Sequence, residues 1–154
     1  MSELISRRAL LASGFNAAAA AVVFPALFRA PAAIPMVVYK DPNCGCCTKW
    51  VGLMRSAGFE VSTRDTSDMA SIKTRYKVPA ALGSCHTAMV GGYVVEGHVP
   101  ADLITRLLKE KPKVLGLAVP GMPMGSPGME GSTKDAFDVV TFDAAGKSTV
   151  YARR

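Results

Sequence analysis

The sequence predicts a single α/β domain, and three observations carry this prediction. A short run rich in β-branched residues, residues 35–40, predicts a buried strand. Directly after it, Cys47, Trp50, Val51 and Met54 recur at helical spacing. Further along, two apolar runs flank Gly91-Gly92, a pair typical of tight β-hairpin turns. Strands mixed with helices in this order are typical of an α/β fold.

The elements between the first helix and the hairpin follow from local signals. Gly58 ends the helix, and the alternation of residues 59–63 predicts a second strand. Ser67-Asp68 can cap a short helix that extends to about Tyr76. Val78-Pro79 then interrupts that helix.

A last helix begins at Pro100-Ala101-Asp102, after the hairpin formed by residues 87–90 and 93–96. The order is therefore strand, helix, strand, helix, hairpin, helix, with a cysteine cluster between the first strand and the first helix. This is the order of the thioredoxin and glutaredoxin folds, in which a right-handed crossover lays the first two strands parallel. We expect residues 33–113 to form this thioredoxin-like domain.

We expect residues 114–154 to form a C-terminal extension of the thioredoxin-like domain. Residues 116–131 are rich in Gly, Pro and Met and have neither a helical nor a strand period, so we expect an irregular loop. Residues 135–142 and 148–151, joined by a turn, predict a closing β-hairpin.

Residues 1–32 have the layout of a bacterial export signal. Arg7 and Arg8 precede an Ala-rich apolar run, and Ala30-Pro31-Ala32 has the form of a signal-peptidase site. The paired arginines favour the twin-arginine type of signal, with an ordinary secretory signal or an uncleaved membrane anchor as alternatives. We expect a periplasmic protein of Gram-negative type whose mature form does not span the membrane.

The charge balance argues against nucleic-acid binding. The 154-residue chain has a formal net charge of +6. Beyond residue 32 it carries 15 basic and 11 acidic side chains, a small excess. No basic stripe interleaves with aromatic residues, as a nucleic-acid interface would require.

Three of the four cysteines lie within the segment Cys44-Gly45-Cys46-Cys47. A disulfide between the adjacent residues Cys46 and Cys47 would not connect distant parts of the chain, so structural disulfides explain this spacing poorly. Cys44 and Cys47 have C-x-x-C spacing at a helix N-terminus, which suits thiol–disulfide exchange and metal binding alike. Since neighbouring helical residues point about 100° apart, the third thiol favours bridging of several metal ions, or a redox pair plus a separate ligand.

Further donors lie in and around the hairpin. Cys85 and His86 precede its first strand, where a thiolate and an imidazole could meet the helix N-terminus across the sheet. The alternative is a buried, inert cysteine beside a surface histidine. His98 is either a polar residue at the entry of the last helix or a ligand.

The methionines of the extension favour copper over other metals. Met122, Met124 and Met129 lie in the Gly/Pro loop, where no regular period could bury them in a core. Thioether, thiolate and imidazole together form a soft donor set that favours Cu(I), whereas zinc rarely binds Met. An iron–sulfur cluster would leave the methionines unused.

Four blocks of the sequence carry a resemblance to a known family: residues 39–47, 84–88, 92–100 and 116–123. Together they resemble the CopG-type copper-resistance family of exported CxCC proteins, which is also classified as a domain of unknown function. The resemblance extends over essentially the whole mature chain.

This resemblance implies a thioredoxin-like domain whose C-terminal extension folds over a cysteine-bridged copper cluster, with a role in copper redox interconversion and resistance. The ligand positions that it implies are Cys44, Cys46, Cys47, Cys85, Met122 and Met129. His86, Met124 and His98 are further candidates. A thioredoxin-type site also implies a cis-proline opposite the cysteines, for which Pro79 is the candidate.

The leading hypothesis is a periplasmic copper-binding protein that holds Cu(I), as a multinuclear thiolate cluster, for copper resistance and homeostasis. We expect a monomeric metal-binding protein rather than a conventional enzyme, with copper ions and a copper exporter or another periplasmic copper protein as partners. The alternative is a metal-independent thiol–disulfide oxidoreductase with Cys44 and Cys47 as its redox pair. A third hypothesis is a structural role, with two disulfides and no metal.

Overall fold

The structure is a computed structural model that describes residues 32–154. The predicted export signal lies outside the described residues, apart from its last residue, Ala32. Within residues 32–154, seven β-strands form one sheet that is accompanied by three α-helices. The α/β class predicted from the sequence is confirmed.

The helices and strands follow one another along the chain in this order. They are β1 (Ile34–Lys40), α1 (Gly45–Ser56), β2 (Phe59–Asp65), α2 (Met69–Arg75), a 3-10 turn (Ala80–Leu82), β3 (His86–Val90), β4 (Tyr93–Glu96), α3 (Ala101–Glu110), β5 (Gly116–Ala118), β6 (Asp138–Phe142) and β7 (Ser148–Arg153). The predicted order of strands and helices as far as α3 is confirmed, and so is the closing hairpin, β6 and β7.

The strands lie in the order β2-β1-β3-β4-β5-β6-β7 across the sheet. β1 pairs in parallel with β2, as predicted, and antiparallel with β3. β4 pairs in parallel with β5, which joins the C-terminal strands to the same sheet. The remaining neighbours pair antiparallel.

Two expectations about the backbone are wrong. Residues 116–118, expected to begin an irregular loop, form β5 because the backbone at Gly116 lies directly against β4. A Cβ atom at Gly116 would lie 1.9 Å from the carbonyl oxygen of Val94, so only glycine permits this approach. The expected cis-proline at Pro79 is also wrong, since no peptide bond within residues 32–154 is cis.

The core lies on both faces of the sheet. On one face, apolar residues of α1 and α3 pack against the strands: Trp50, Val51, Met54, Leu103, Ile104 and Leu107. Neighbouring strand residues point to opposite faces, as the pleat requires. Val95 therefore joins this cluster, whereas Val94 packs with Leu82 and Phe142 on the other face.

The helix ends follow the sequence signals. Asp68 caps α2 by accepting a hydrogen bond from the backbone N–H of Ser71 at 3.0 Å. Cys44 is the N-cap residue of α1, and its sulfur accepts from the N–H of Cys47 at 3.3 Å. None of the helices in residues 32–154 combines the length and the apolar character needed to cross a bilayer.

Replacing Gly116 by alanine should detach β5 from β4. The added methyl group meets backbone rather than a movable side chain, so we expect Gly116→Ala to lower the free energy of unfolding by about 1–3 kcal/mol or more. Gly52→Ala is the matched control: Gly52 lies within α1 with nothing near its Cβ position, so this change should stabilise the protein by up to about 1 kcal/mol. Urea unfolding of both variants measures the difference, and equal stabilities would contradict the close approach.

Candidate metal centre

The pairing of β1 with β3 brings the cysteines together. Lys40, the last residue of β1, lies opposite His86, the first residue of β3. The loop that follows β1 enters α1 through the cysteine segment, and Cys85 directly precedes β3. The four sulfur atoms consequently lie within 4.8 Å of one another. The four cysteines singled out from the sequence thus form one cluster.

Two of the four cysteines form a disulfide. Cys44 and Cys47, the C-x-x-C pair, are bonded to each other, and Cys46 and Cys85 are free. The sulfur of Cys46 lies 3.5 Å from that of Cys44 and 4.0 Å from that of Cys85. The free thiols therefore lie beside the disulfide, and reduction of that bond would leave four thiols at one point.

Both histidines adjoin the cluster at Cys85. Nε2 of His98 lies 2.9 Å from the Cys85 sulfur, and Nδ1 of His86 lies 3.3 Å from it. Cys85, His86 and His98 form a second group whose ligand atoms lie within 4.8 Å of one another. The interpretation of His86 as a surface residue is wrong, because its side chain is fully buried. His98 is also buried, and the N-cap of α3 is Pro100, with no side-chain cap.

A backbone carbonyl fixes the tautomer of His98. Its Nδ1 lies 2.7 Å from the carbonyl oxygen of Pro127, which can only accept, so Nδ1 carries the proton and donates. Nε2, which faces the Cys85 sulfur, is then left with its lone pair. Metal-binding histidines commonly donate their other ring N–H to a carbonyl in this way.

Burial keeps the donors of this group uncharged. It lowers the pKa of His86 to about 3, with smaller contributions from repulsion by Lys73 and, when protonated, by His98. It also lowers the pKa of His98. Burial, with the nearby Cys46, raises the pKa of the Cys85 thiol to about 12. The imidazoles are therefore neutral and able to bind a metal at neutral pH, whereas a metal at Cys85 must displace a proton.

His86 has an unused ring nitrogen. Nδ1 faces Cys85, the ring packs against Trp50 with centroids 4.4 Å apart, and Nε2 has no hydrogen-bond partner. A buried polar atom without a partner costs free energy. Among the buried side-chain nitrogen and oxygen atoms of residues 32–154, this is the one left unsatisfied.

The C-terminal loop contacts the cluster at two points. Ser84 Oγ donates to the carbonyl oxygen of Gly121 at 2.8 Å, next to Cys85. Seven residues later, Gly128 lies against the first turn of α1: a Cβ there would be 2.9 Å from the Cys46 carbonyl oxygen and 3.3 Å from His98 Nδ1. Gly128 has φ +88, a conformation that glycine adopts without strain.

Two of the three predicted loop methionines directly follow these contacts. Met122 follows Gly121 and is exposed, at 52% of its accessible surface, and Met129 follows Gly128 and is partly buried. Met124 is held elsewhere: its N–H and carbonyl oxygen bond to Asp135, at 3.1 and 2.8 Å. The structure thus brings the backbone beside Met122 and Met129 to the cluster and ties Met124 to the approach to β6.

Sequence reasoning missed Glu96, Lys73 and Thr87. Glu96 is fully buried at the end of β4, where it pairs with Lys73 and accepts from Thr87. The available signal was a carboxylate at the end of the apolar run 93–96, two residues before His98. A charged side chain is rarely buried unless it is paired.

These observations define an α/β protein with a cluster of four cysteines and two histidines of metal-binding type. A family model described as a protein of unknown function, DUF411, matches residues 82–129. Two solved structures, titled "Copper resistance protein copG" Form 1 and Form 2, are each 44% identical to this chain, with a TM-score of 0.75. The alignments cover 79% of this chain and 98% of each of those chains. A comparison with curated proteins finds no match.

The chain therefore belongs to the CopG copper-resistance family, as the sequence resemblance indicated. The donor set of thiols and neutral imidazoles is one that soft and borderline metals prefer, so the cluster is suited to binding a metal ion.

A methyl group at Gly128 should lift the loop from the cluster. We expect Gly128→Ala to increase the rate at which a small alkylating reagent labels Cys46 and Cys85, because the loop can no longer lie against α1 and His98. Gly121→Ala is the matched control, since Gly121 also has a positive φ but has nothing near its Cβ position. Both variants bear the backbone cost of about 1 kcal/mol, so mass spectrometry of the alkylated protein isolates the effect of the contact. Equal labelling rates in the two variants would contradict it.

Proposed function

We propose that this protein is an exported copper-binding protein that holds Cu(I) at the cysteine cluster for copper resistance and homeostasis. The observation that carries the proposal is the convergence of four sulfur atoms within 4.8 Å, with two neutral imidazoles beside them. Membership of a copper-resistance family supports copper as the ion. Copper is here the cargo on which the protein acts.

The four cysteines serve as the primary donors. Because their sulfurs lie close together, thiolates can bridge neighbouring Cu(I) ions, and a multinuclear cluster follows naturally from four sulfurs in so small a volume. Before all four can bind, an external dithiol must reduce the Cys44–Cys47 disulfide by thiol–disulfide exchange: it supplies two electrons and two protons and itself becomes a disulfide. The imidazole of His98, and that of His86, supply nitrogen donors next to Cys85.

The extension completes and covers the site. Met122 and Met129 directly follow the two residues at which the loop contacts the cluster, so in this proposal they are the thioether donors of the site. Met124, hydrogen-bonded through its backbone to Asp135, is a less suitable ligand. The loop also limits the access of water to the thiolates.

A redox role accompanies binding in this proposal. The dithiol of Cys44 and Cys47 can give one electron to each of two Cu(II) ions, which become Cu(I) while the disulfide forms and the thiol protons are released. The protein would then return Cu(I) to an exporter or another periplasmic copper protein. A monomer suffices for this chemistry, since all the donors come from one chain.

The thioredoxin-like fold and the export signal belong to the same proposal. Support for the fold comes from the order of elements, from β1 pairing with β2 and β3, and from a C-x-x-C pair at the start of α1. Residues 33–113 would be the thioredoxin-like part, and residues 114–154 the extension that completes the metal site. Residues 1–32 would direct the chain to the periplasm through the twin-arginine route.

Copper analysis tests the ligand set. We expect the full chain, reduced and purified anaerobically with copper, to hold more than about one Cu(I) ion per chain, because its thiolates can bridge. Cys44→Ser should lower this number, since it removes a bridging sulfur. Thr48→Ser is the control: Thr48 is exposed in the same turn of α1, and the change keeps its hydroxyl. Less than one copper ion per chain, or no loss in Cys44→Ser, would refute the proposal.

The loop methionines provide a second test. We expect the double variant Met122→Leu/Met129→Leu to weaken Cu(I) binding by about tenfold or more, equivalent to about 1.4 kcal/mol. Leucine has nearly the same volume, so the fold should be unaffected. Met124→Leu is the matched control and should bind as the parent does. Competition with a chromogenic Cu(I) chelator measures the affinities, and an unchanged double variant would remove the methionines from the ligand set.

The second candidate function is a metal-independent thiol–disulfide oxidoreductase. The Cys44–Cys47 disulfide at the N-terminus of α1 is the observation that favours it. Such an enzyme would turn over disulfide substrates without copper. It would also be indifferent to Met122→Leu/Met129→Leu, so the same variant separates the two functions.

A further inference from the structure

Glu96 is the fully buried carboxylate that the proposed copper chemistry leaves without a role. It lies at the end of β4, with none of its surface exposed. Three donors surround it: Lys73 Nζ of α2, the backbone N–H of Ser84 at 2.6 Å, and Thr87 Oγ1 at 2.7 Å. Lys73 also bonds to Thr87 Oγ1, at 3.2 Å, which closes the network.

Two of the three residues that Glu96 holds are adjacent in sequence to a metal-binding candidate of the cluster. Ser84 directly precedes Cys85, and Thr87 directly follows His86. Glu96 itself precedes Gly97 and His98. The Glu96 carboxylate therefore fixes residues 84–87 against residues 96–98. These two segments carry the candidate metal ligands Cys85, His86 and His98, whose sulfur and ring nitrogens lie together.

The backbone around Glu96 continues the same connection. Gly97 N–H donates to the carbonyl oxygen of His86 at 3.0 Å. Val119 N–H donates to the carbonyl oxygen of Glu96 at 3.0 Å, which attaches the start of the C-terminal loop. Ser84, held by Glu96, in turn holds Gly121 through its hydroxyl. Glu96 thus holds both the C-terminal loop and the two segments that carry Cys85, His86 and His98.

Stability alone does not account for a charge at this position. Removing a carboxylate and an ammonium group from water costs several kcal/mol per ion, and well-packed apolar residues often serve equally well. What an apolar pair cannot do is accept the hydrogen bonds of Ser84 and Thr87. The geometric function of Glu96 is therefore separable from its contribution to folding.

We propose that Glu96 is a positioning residue that holds Cys85, His86 and His98 in the arrangement that binds copper. It acts through Ser84 and Thr87 and does not itself touch the metal. The inference rests on the proposed function as far as copper is concerned, whereas the arrangement of the imidazoles can be tested without any metal.

Two double variants separate position from charge. Lys73→Met/Glu96→Leu removes the ion pair and every hydrogen bond that the Glu96 carboxylate accepts. Lys73→Met/Glu96→Gln also removes the charges, but keeps an amide oxygen that can accept from the Ser84 N–H. Both avoid leaving an unpaired buried charge, so both should remain folded. Thermal unfolding checks this.

The readouts are the imidazole nitrogen signals and the copper affinity. The chain has only two histidines, so NMR of the full chain labelled with 15N-histidine resolves His86 and His98 in the metal-free, reduced protein. We expect the leucine variant to shift both sets of signals and to weaken Cu(I) binding by about 10- to 100-fold. The glutamine variant should keep the parent's signals and lose less than about tenfold in affinity.

The outcomes distinguish this inference from the proposed function. If the parent protein binds no copper, the proposed function fails, and the histidine signals alone decide the role of Glu96. Parent-like signals in the leucine variant, with parent-like affinity where the parent binds copper, overturn the inference. So does an equal loss in both double variants, which would assign the effect to charge rather than position. If the leucine variant does not fold, Thr87→Val replaces it, because this change removes the hydrogen bond from the Thr87 hydroxyl to Glu96 and keeps the shape of the side chain. Unchanged histidine signals and an unchanged copper affinity in Thr87→Val would then overturn the inference.

Discussion

The antiparallel pairing of β1 with β3 is the constraint on which the rest of the site depends. Its register places Lys40 opposite His86, so the end of β1 and the start of β3 lie side by side. The cysteine segment leaves the sheet at the first of these points, and Cys85 enters it at the second. A slip of one residue would turn His86 to the other face of the sheet, away from Trp50 and His98. The sulfur cluster is therefore a consequence of strand register.

Burial then determines the chemical state of the donors. An imidazolium or a thiolate placed alone in this environment would lose its hydration, so His86 and His98 remain neutral and Cys85 remains protonated. Nδ1 of His86 and Nε2 of His98 both face the Cys85 sulfur. A site in this state is prepared for a soft cation that accepts lone pairs and displaces the thiol proton.

The extension is held to the site by backbone contacts that tolerate no side chain. Gly116 lets β5 lie against β4, and Gly128 lets the loop lie against α1 and His98. The β-hairpin of β6 and β7 continues the same sheet, so the loop between β5 and β6 is fixed at both ends. This explains how a segment without regular secondary structure can keep Gly121 and Gly128 in contact with the cluster.

The sequence by itself determined the order of strands and helices up to α3, the hairpin at Gly91-Gly92 and the four cysteines of the cluster, because these depend on local period, turn residues and spacing. It also indicated the family. Only the tertiary structure decided that residues 116–118 are a strand, since β5 exists through its approach to Val94 and three residues carry no period. The same holds for the burial of His86, the bond between His98 and Pro127, and the network of Glu96. Each of these features depends on contacts between residues that are distant in sequence. Local sequence patterns do not predict how two distant segments pack against each other.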